Sequence, residues 1–342
     1  MSSTYRYQIP VEQTQWKFEG QSETILTWEY EDGRSKLLAL YDKGKKQQWD
    51  AATRIDWSQD LDPENPMMLD DRAVQIWGSP VWERLTDKER VRVRHHLQAQ
   101  TLSQFMHGEQ GALICTAKIV EQVPWIDAKY YAATQVMDEA RHVEVYSKYL
   151  SEKLAHEFQV NVHLRALLDD VVSDSRWDMT YLGMQIMVEG LALAAFGFQY
   201  QTSPDPLLKQ ITRYVMADEA RHVAFGVMSL KEAYQDLDAA DIRERQEFCY
   251  EAAVKMRDRF LGQEVWEWAG LPVKECTRVM LDAPMQREFR KMLFSKIVPN
   301  AKKLGLLDAG DGWLREKFTE LGVIQFEDWV DTGEEYAMLD EV

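Results

Sequence analysis

Little in this sequence marks a special class of protein. Its three cysteines, Cys115, Cys249 and Cys276, are odd in number, far apart and form no CxxC pair. That excludes a disulfide framework and a zinc knuckle, and reads as reduced, buried thiols. Basic charge is scarce: 40 Lys and Arg against 57 Asp and Glu leave a formal charge of −17. This is the wrong sign for a nucleic-acid footprint or for an anionic membrane surface. No uncharged apolar run approaches the length of a membrane span. The opening residues have no basic stretch leading into an apolar one, so no secretory leader is expected and a cytoplasmic setting is. A Gly-rich phosphate loop, a strand-rich block, a low-complexity linker and a Ser-His-Asp or Cys-His arrangement are all missing. What is present is ordinary for a globular chain, 45% hydrophobic with 12 Trp and 14 Tyr to fill a core.

The hydrophobic pattern is helical along most of the chain. Residues 1–34 read as an extended arm or short hairpin, a helix starts near Ser35, and residues 50–66 are irregular. Thr86 and Glu89 form a capping box that opens a helix running to about Val123. Pro124 interrupts it. Further helices are expected at about 125–158, 175–202, 205–236, 239–268 and 283–304, with a polar segment around "NVHLRALLDDVVSDS". The expectation is one mainly helical domain over 1–342, with a bundle core at about 86–236, an N-terminal arm over 1–66 and C-terminal helices over 237–330.

Against this background one string stands out. "DEARHV" occupies 138–143 and again 218–223. On a helix, residues i and i+3 project from one face, about 4.5 Å apart along the axis. Glu139 can therefore converge with His142, and Glu219 with His222. A carboxylate with an imidazole is a donor pair suited to iron or manganese. One such pair means little; two inside an identical hexamer ask for partners. If Pro124 turns a helical hairpin, the residue level with Glu139 stands as far before the turn as Glu139 stands after it. Glu139 is 15 residues past Pro124, and 15 before it is Glu109. The same rule about Pro204 pairs Glu219 with Glu189. Glu121 and Asp127 fall near the turn, about 18–22 Å from that level at 1.5 Å per residue, and are out of reach.

Four helices thus offer Glu109, Glu139 with His142, Glu189, and Glu219 with His222, the donor set of a carboxylate-bridged dinuclear centre. Four buried carboxylates are costly to desolvate together, and two divalent ions would cancel them. The run "IMVEGLALAAFGF" around Glu189 is too apolar for a solvated face. Asp138 and Asp218 each lie one turn before a His and are placed to accept the far N–H of the His on the opposite helix. Arg141 and Arg221 either tie this outer network together or form surface ion pairs. Gly108, Gly111, Ala112, Gly190 and Ala192 flank the donors and leave substrate room or permit close helix packing. His95 and His96 are assigned to a solvated face, His107 points away from the donors, and His156 and His163 are expected to be exposed.

The constellation Glu109, Glu139-Ala-Arg-His142, Glu189, Glu219-Ala-Arg-His222 resembles the ferritin-like di-iron carboxylate superfamily. Its doubled motif is most similar to the hydroxylase subunits of bacterial multicomponent monooxygenases and related oxygenases, and "KKQQWDAATRIDWS" resembles their lead-in segment. The resemblance implies an all-α, ferritin-like four-helix bundle with flanking helices. It also implies two iron ions (or Mn/Fe), O2 as co-substrate, an external electron donor, a homodimer and hydroxylation or N-oxygenation of a small organic substrate. The departures are specific. Leu193 stands where the hydroxylases often carry Thr, and Val215 where arylamine N-oxygenases add a His. Tyr146 occupies the position of the radical Tyr of ribonucleotide reductase small subunits, which supports a second reading as a radical-generating or ligand-binding oxidase. Iron storage is disfavoured, because such proteins are about half this length and lack two Glu-x-x-His pairs.

Overall fold

The computed structural model describes residues 15–17, 22–30, 33–332 and 334. Among these there is no strand, and the chain is built from α1 (Ser35–Lys46), α2 (Asp87–Gln122), α3 (Ile126–Tyr149), α4 (Val162–Ser173), α5 (Trp177–Thr202) and α6 (Pro206–Ala233), followed by α7 (Ala239–Asp258), α8 (Gln263–Trp268), α9 (Val273–Asp282), α10 (Pro284–Met292), α11 (Ile297–Lys303) and α12 (Trp313–Glu320). Helices α2, α3, α5 and α6 form a four-helix bundle, and α1 packs on α3 and α6. The fold is therefore the expected all-α bundle with flanking helices. Within the N-terminal arm over 1–66, the described residues 15–17, 22–30 and 33–34 have no regular structure, whereas α1 and a short helix at Ala51–Arg54 follow.

Local chemistry sets the ends. The capping box forms: the Thr86 N–H donates to Glu89 Oε2 at 2.8 Å, and the Glu89 N–H donates to Thr86 Oγ1 at 3.4 Å. Asn161 caps α4, and Asp205 caps α6 with Pro206 at its first position. The two bundle hairpins turn at Val123–Trp125 and at Ser203–Asp205, so Pro124 and Pro204 are the turn residues.

Several boundaries differ from the sequence reading. The segment taken as merely polar is α4, whose Leu164, Leu167, Leu168, Val171 and Val172 are buried. The third helix ends at Tyr149 and passes through one π turn (150–154), stopping where Ala155 adopts φ 52°. Of the expected C-terminal helices, 239–268 is interrupted at 259–262 and 283–304 at 293–296, and a further helix, α9, lies between them. Helix α5 contains a π-helical stretch, Leu182–Val188. At that stretch α5 meets α6 so closely that a Cβ on Gly226 would sit 2.5 Å from Gln185 Cβ, which only glycine tolerates. Helix α5 is also long and apolar enough to cross a membrane, a property not seen in the linear sequence. It is buried at the centre of the bundle, where 78% of its apolar window is covered by protein.

Candidate metal centre

Each half of the bundle delivers one glutamate from its first helix and a Glu-x-x-His from its second. Glu109, Glu139, His142, Glu189, Glu219 and His222 are all buried, none more than 5% exposed. Their donor atoms fall into two overlapping groups. Glu109, Glu139, His142 and Glu219 converge within 4.8 Å of one another, as do Glu139, Glu189, Glu219 and His222. Glu139 and Glu219 belong to both groups. Two ions held this way would share two carboxylates, and each would keep one further carboxylate and one imidazole.

The imidazoles are oriented for this. His142 Nε2 lies 3.2 Å from Asp218 Oδ2, and His222 Nε2 lies 3.3 Å from Asp138 Oδ2. Each Asp holds the His of the opposite helix and leaves Nδ1 turned inward. His142 Nδ1 is 3.1 Å from Glu219 Oε1 and 3.3 Å from Glu109 Oε2; His222 Nδ1 is 3.0 Å from Glu139 Oε1. Several inward atoms have no hydrogen-bond partner, among them Glu139 Oε2, Glu189 Oε2, both Glu219 oxygens and His222 Nδ1. Buried donors without partners are rare. Here they point at common centres, and the residues fit a dinuclear metal cofactor.

Protonation follows from the crowding. Burial first, and then the charge of Glu219, push Glu109 and Glu189 well above the ordinary carboxylate range. Burial pulls the imidazoles down, but Asp218 and Glu109 outweigh it at His142, and Glu139 and Glu219 do so at His222, so both are raised. Burial would raise Glu139, yet the positive His222 and the bonds from both imidazoles hold it low. Protons thus offset the repulsion that two cations would otherwise cancel.

Around the donors runs a polar frame. Arg141 Nη2 donates to Asp138 and to Asp218 Oδ2 at 3.1 Å; Arg221 Nη2 donates to Asp218 and to Asp138 Oδ2 at 3.3 Å. The arginines are 6% and 1% exposed, so the network reading holds and the surface ion pair does not. The end of α1 and the residues after it close the frame. Gln48 donates to Asp138 Oδ1 at 2.8 Å, Trp49 Nε1 to Asp218 Oδ2 at 2.8 Å, and Gln47 Oε1 accepts from Arg221 at 2.8 Å. Gln135, one turn before Glu139, donates to Glu139 Oε1 at 3.0 Å and Glu189 Oε1 at 2.9 Å. These four residues were not singled out from the sequence. The signals were available in the repeated Gln of "KKQQWD" and in a polar residue one helical turn from a donor.

Other assignments resolve as follows. Tyr146 is fully buried between Phe105 and Phe196, and its hydroxyl has no partner. Burial, and then the Glu109 charge, raise it. His107 turns away from the donors and bonds the Phe158 carbonyl at 2.8 Å. His96 is not on a solvated face: it is 8% exposed and packs against His156, Phe158 and Trp268. His95 bonds the Leu154 carbonyl at 2.8 Å, and His156 and His163 are half-buried. The segment leading into α4, with His156 and Phe158, packs together with Trp268 over this end of α2, which periodicity alone does not reveal. Gly111 serves packing, since a Cβ there would meet Leu168 Cδ2 at 2.3 Å, whereas Gly108 borders open space. A cavity of about 650 Å³ lies against α5 and α6, lined by Leu193, Ala194, Gly197, Met216, Ala220 and Phe289 among others. It begins one turn beyond Glu189.

A family model described as "P-aminobenzoate N-oxygenase AurF" matches residues 31–305. No curated protein sequence matches. Among solved structures, two variants of an R2-like ligand-binding oxidase, reconstituted with an Mn/Fe cofactor anaerobically or aerobically, are each 19% identical over 80% of this chain and 94% of theirs, with TM-scores of 0.51. That likeness concerns the fold.

Proposed function

The chain belongs to the AurF family of oxygenases, and from that premise we propose that it oxygenates a small organic molecule at a dinuclear iron centre held by Glu109, Glu139, His142, Glu189, Glu219 and His222. The observation that carries this reading is the pair of overlapping donor groups sharing Glu139 and Glu219. When bound, the metals supply O2 activation with electrons from an external donor. The chain's own residues do the rest. Asp138 and Asp218 fix the imidazole N–H groups and so keep each Nδ1 free for a metal. Arg141 and Arg221 bridge those two carboxylates and hold them in place. Gln135 orients Glu139 and Glu189, while Phe105 and Phe196 pack about Tyr146 and help keep water from the centre. The cavity beside Leu193 gives the substrate its approach. Val215, where arylamine N-oxygenases carry an extra His, leaves six donors here, so oxygenation at carbon is as consistent with the donor set as oxygenation at nitrogen. A homodimer in the cytoplasm is part of the proposal, supported by the resemblance of the motif and by the reduced cysteines.

The test is direct. Protein expressed with ample iron is expected to hold about two ions per chain and to consume O2 when reduced in the presence of substrate. Stoichiometric zinc alone, or no metal, would refute the reading. A second reading rests on Tyr146, whose unpartnered hydroxyl lies near Glu109. If the chain is a radical-generating oxidase, Tyr146→Phe abolishes a tyrosyl radical signal on oxygen exposure; an oxygenase keeps its turnover in that variant.

A further inference from the structure

The cavity beside Leu193 has features that a passage for substrate does not require. Its floor is apolar: the Phe198 and Phe289 rings stand 4.8 Å apart, and Met216 and Met292 line it with them. Two of these large side chains are left in water, Phe198 at 48% and Met292 at 44% exposed. Large apolar side chains exposed together mark a surface that something covers. The rim carries Lys43 of α1 and Lys296, which precedes α11. Among the described residues no Asp or Glu lines the cavity. In a chain of formal charge −17, a positive rim with no lining acid stands apart.

The chain itself arrives at this rim. Thr332 lines the cavity and is buried. It is fixed there, since its N–H donates to Asn300 Oδ1 at 3.0 Å and its hydroxyl accepts from Asn300 Nδ2 at 3.1 Å. Lys303 ties down the flanking acids, pairing with Asp331 at 3.2 Å and with Glu334. Residues 335–342, which lie outside the described ones, read "EYAMLDEV". Tyr336, Met338 and Leu339 are large and apolar, Glu335, Asp340 and Glu341 are acidic, and there is no Lys or Arg among them. Apolar side chains suit the floor, and negative ones suit the rim. Eight residues reach roughly 27 Å when extended, which is ample to cross a cavity of about 650 Å³.

We propose that residues 335–342 of this chain dock in the cavity, with their apolar side chains on its floor and their acidic ones toward Lys43 and Lys296. Held at Thr332, the segment has an advantage over any separate molecule of like chemistry. A short tether keeps it at about millimolar effective concentration, and little loop-closure entropy opposes it. Neither the cavity nor the segment includes a metal donor, so the docking does not rest on the oxygenase reading. Where that reading holds, the docked segment covers the passage that begins one turn beyond Glu189, and substrate entry requires its displacement.

Hydrogen exchange of residues 335–342 is followed by mass spectrometry in the whole chain, with a synthetic peptide of the same sequence as reference. In the unaltered protein the segment is expected to exchange at least about 10-fold more slowly than the peptide, at every protein concentration. Two variants are expected to bring it within about two-fold of its peptide: Lys43→Glu with Lys296→Glu in the rim, and Met338→Ser with Leu339→Ser in the segment. The second changes nothing in the described fold and guards against a rim variant that does not fold. Adding Asp340→Lys and Glu341→Lys to the rim variant should restore slow exchange. The proposal is overturned if the segment of the unaltered protein exchanges like the peptide, if either variant stays slow, or if the charge swap restores nothing. Slow exchange at high protein concentration alone would overturn it too, and would make a second copy of the chain the occupant. Metal content enters none of these outcomes, so the oxygenase reading stands or falls separately.

Discussion

The two halves of the bundle, α2–α3 and α5–α6, carry the same donors on different scaffolds. In both, a glutamate stands 15 residues before a turn proline and a Glu-x-x-His begins 15 after it. In both, the Asp before the motif reaches across to the other half's His, and the following Arg bridges the two Asp side chains. There the likeness stops. Helix α2 is regular through 36 residues, whereas α5 passes through a π stretch that ends immediately before Glu189. Gln135 bonds two of the donors from the first half, and its counterpart in the second is the apolar Val215. The outer frame is symmetric because two like ions ask for like support. On the proposed function, the inner lining is asymmetric because a substrate would approach from one side.

The symmetry can be broken at graded cost. Replacing either shared carboxylate, Glu139→Ala or Glu219→Ala, is expected to reduce bound iron from about two ions per chain to none. Glu109→Ala or Glu189→Ala is expected to leave one, and metal analysis of the four variants decides whether the shared pair is assigned correctly. Next in size, Asp138→Asn and Asp218→Asn should each weaken metal affinity by about 10- to 100-fold. The two effects should be alike, and a competition titration showing one harmless and one severe would end the two-fold account of the frame. Smaller again, Gln135→Leu removes the amide donor to Glu189 and one of the donors to Glu139, and should lower the stability of the metal-free protein by about 1–3 kcal/mol. Val215→Leu should cost less, both read from chemical denaturation.

The smallest effect probes a length difference. Helix α2 begins 22 residues before Glu109 and α5 only 12 before Glu189, so α2 extends about 15 Å further. That extension carries His96, which burial first, and then the neighbouring His156 and Arg92 charges, lower from 6.5 to about 4. The folded state therefore keeps His96 neutral where the unfolded chain would protonate it. Its contribution is complete above pH 6.5 and is lost as pH falls toward 4, by on the order of 1 kcal/mol. His96→Gln should flatten the fall in melting temperature between pH 7 and pH 5. An unchanged pH profile would show that His96 does not titrate as its packing implies.

Much of this site was legible in the sequence because helical geometry is local. Glu139 with His142, and Glu219 with His222, share a face by periodicity alone, and a hairpin about a proline makes equal counts lie level. The π stretch in α5 did not disturb that count, since it lies on the side of Glu189 away from Pro204. Features set by packing across the chain were harder to read. His96 looks like a surface residue on its own helix and is covered only when His156, Phe158 and Trp268 fold over it. Gln47, Gln48 and Trp49 lie about 90 to 170 residues from the Asp and Arg side chains they meet, and no local pattern reports such a distance.

The sequence by itself determined the donor set, its spacing and the four helices that carry it, because a rise of 1.5 Å and a rotation of 100° per residue fix which side chains converge. Only the tertiary structure decided that Glu139 and Glu219 are common to both donor groups and that Arg141 and Arg221 are buried. Each of those depends on which surfaces are withdrawn from water when distant segments pack, and desolvation belongs to the whole fold rather than to any one helix.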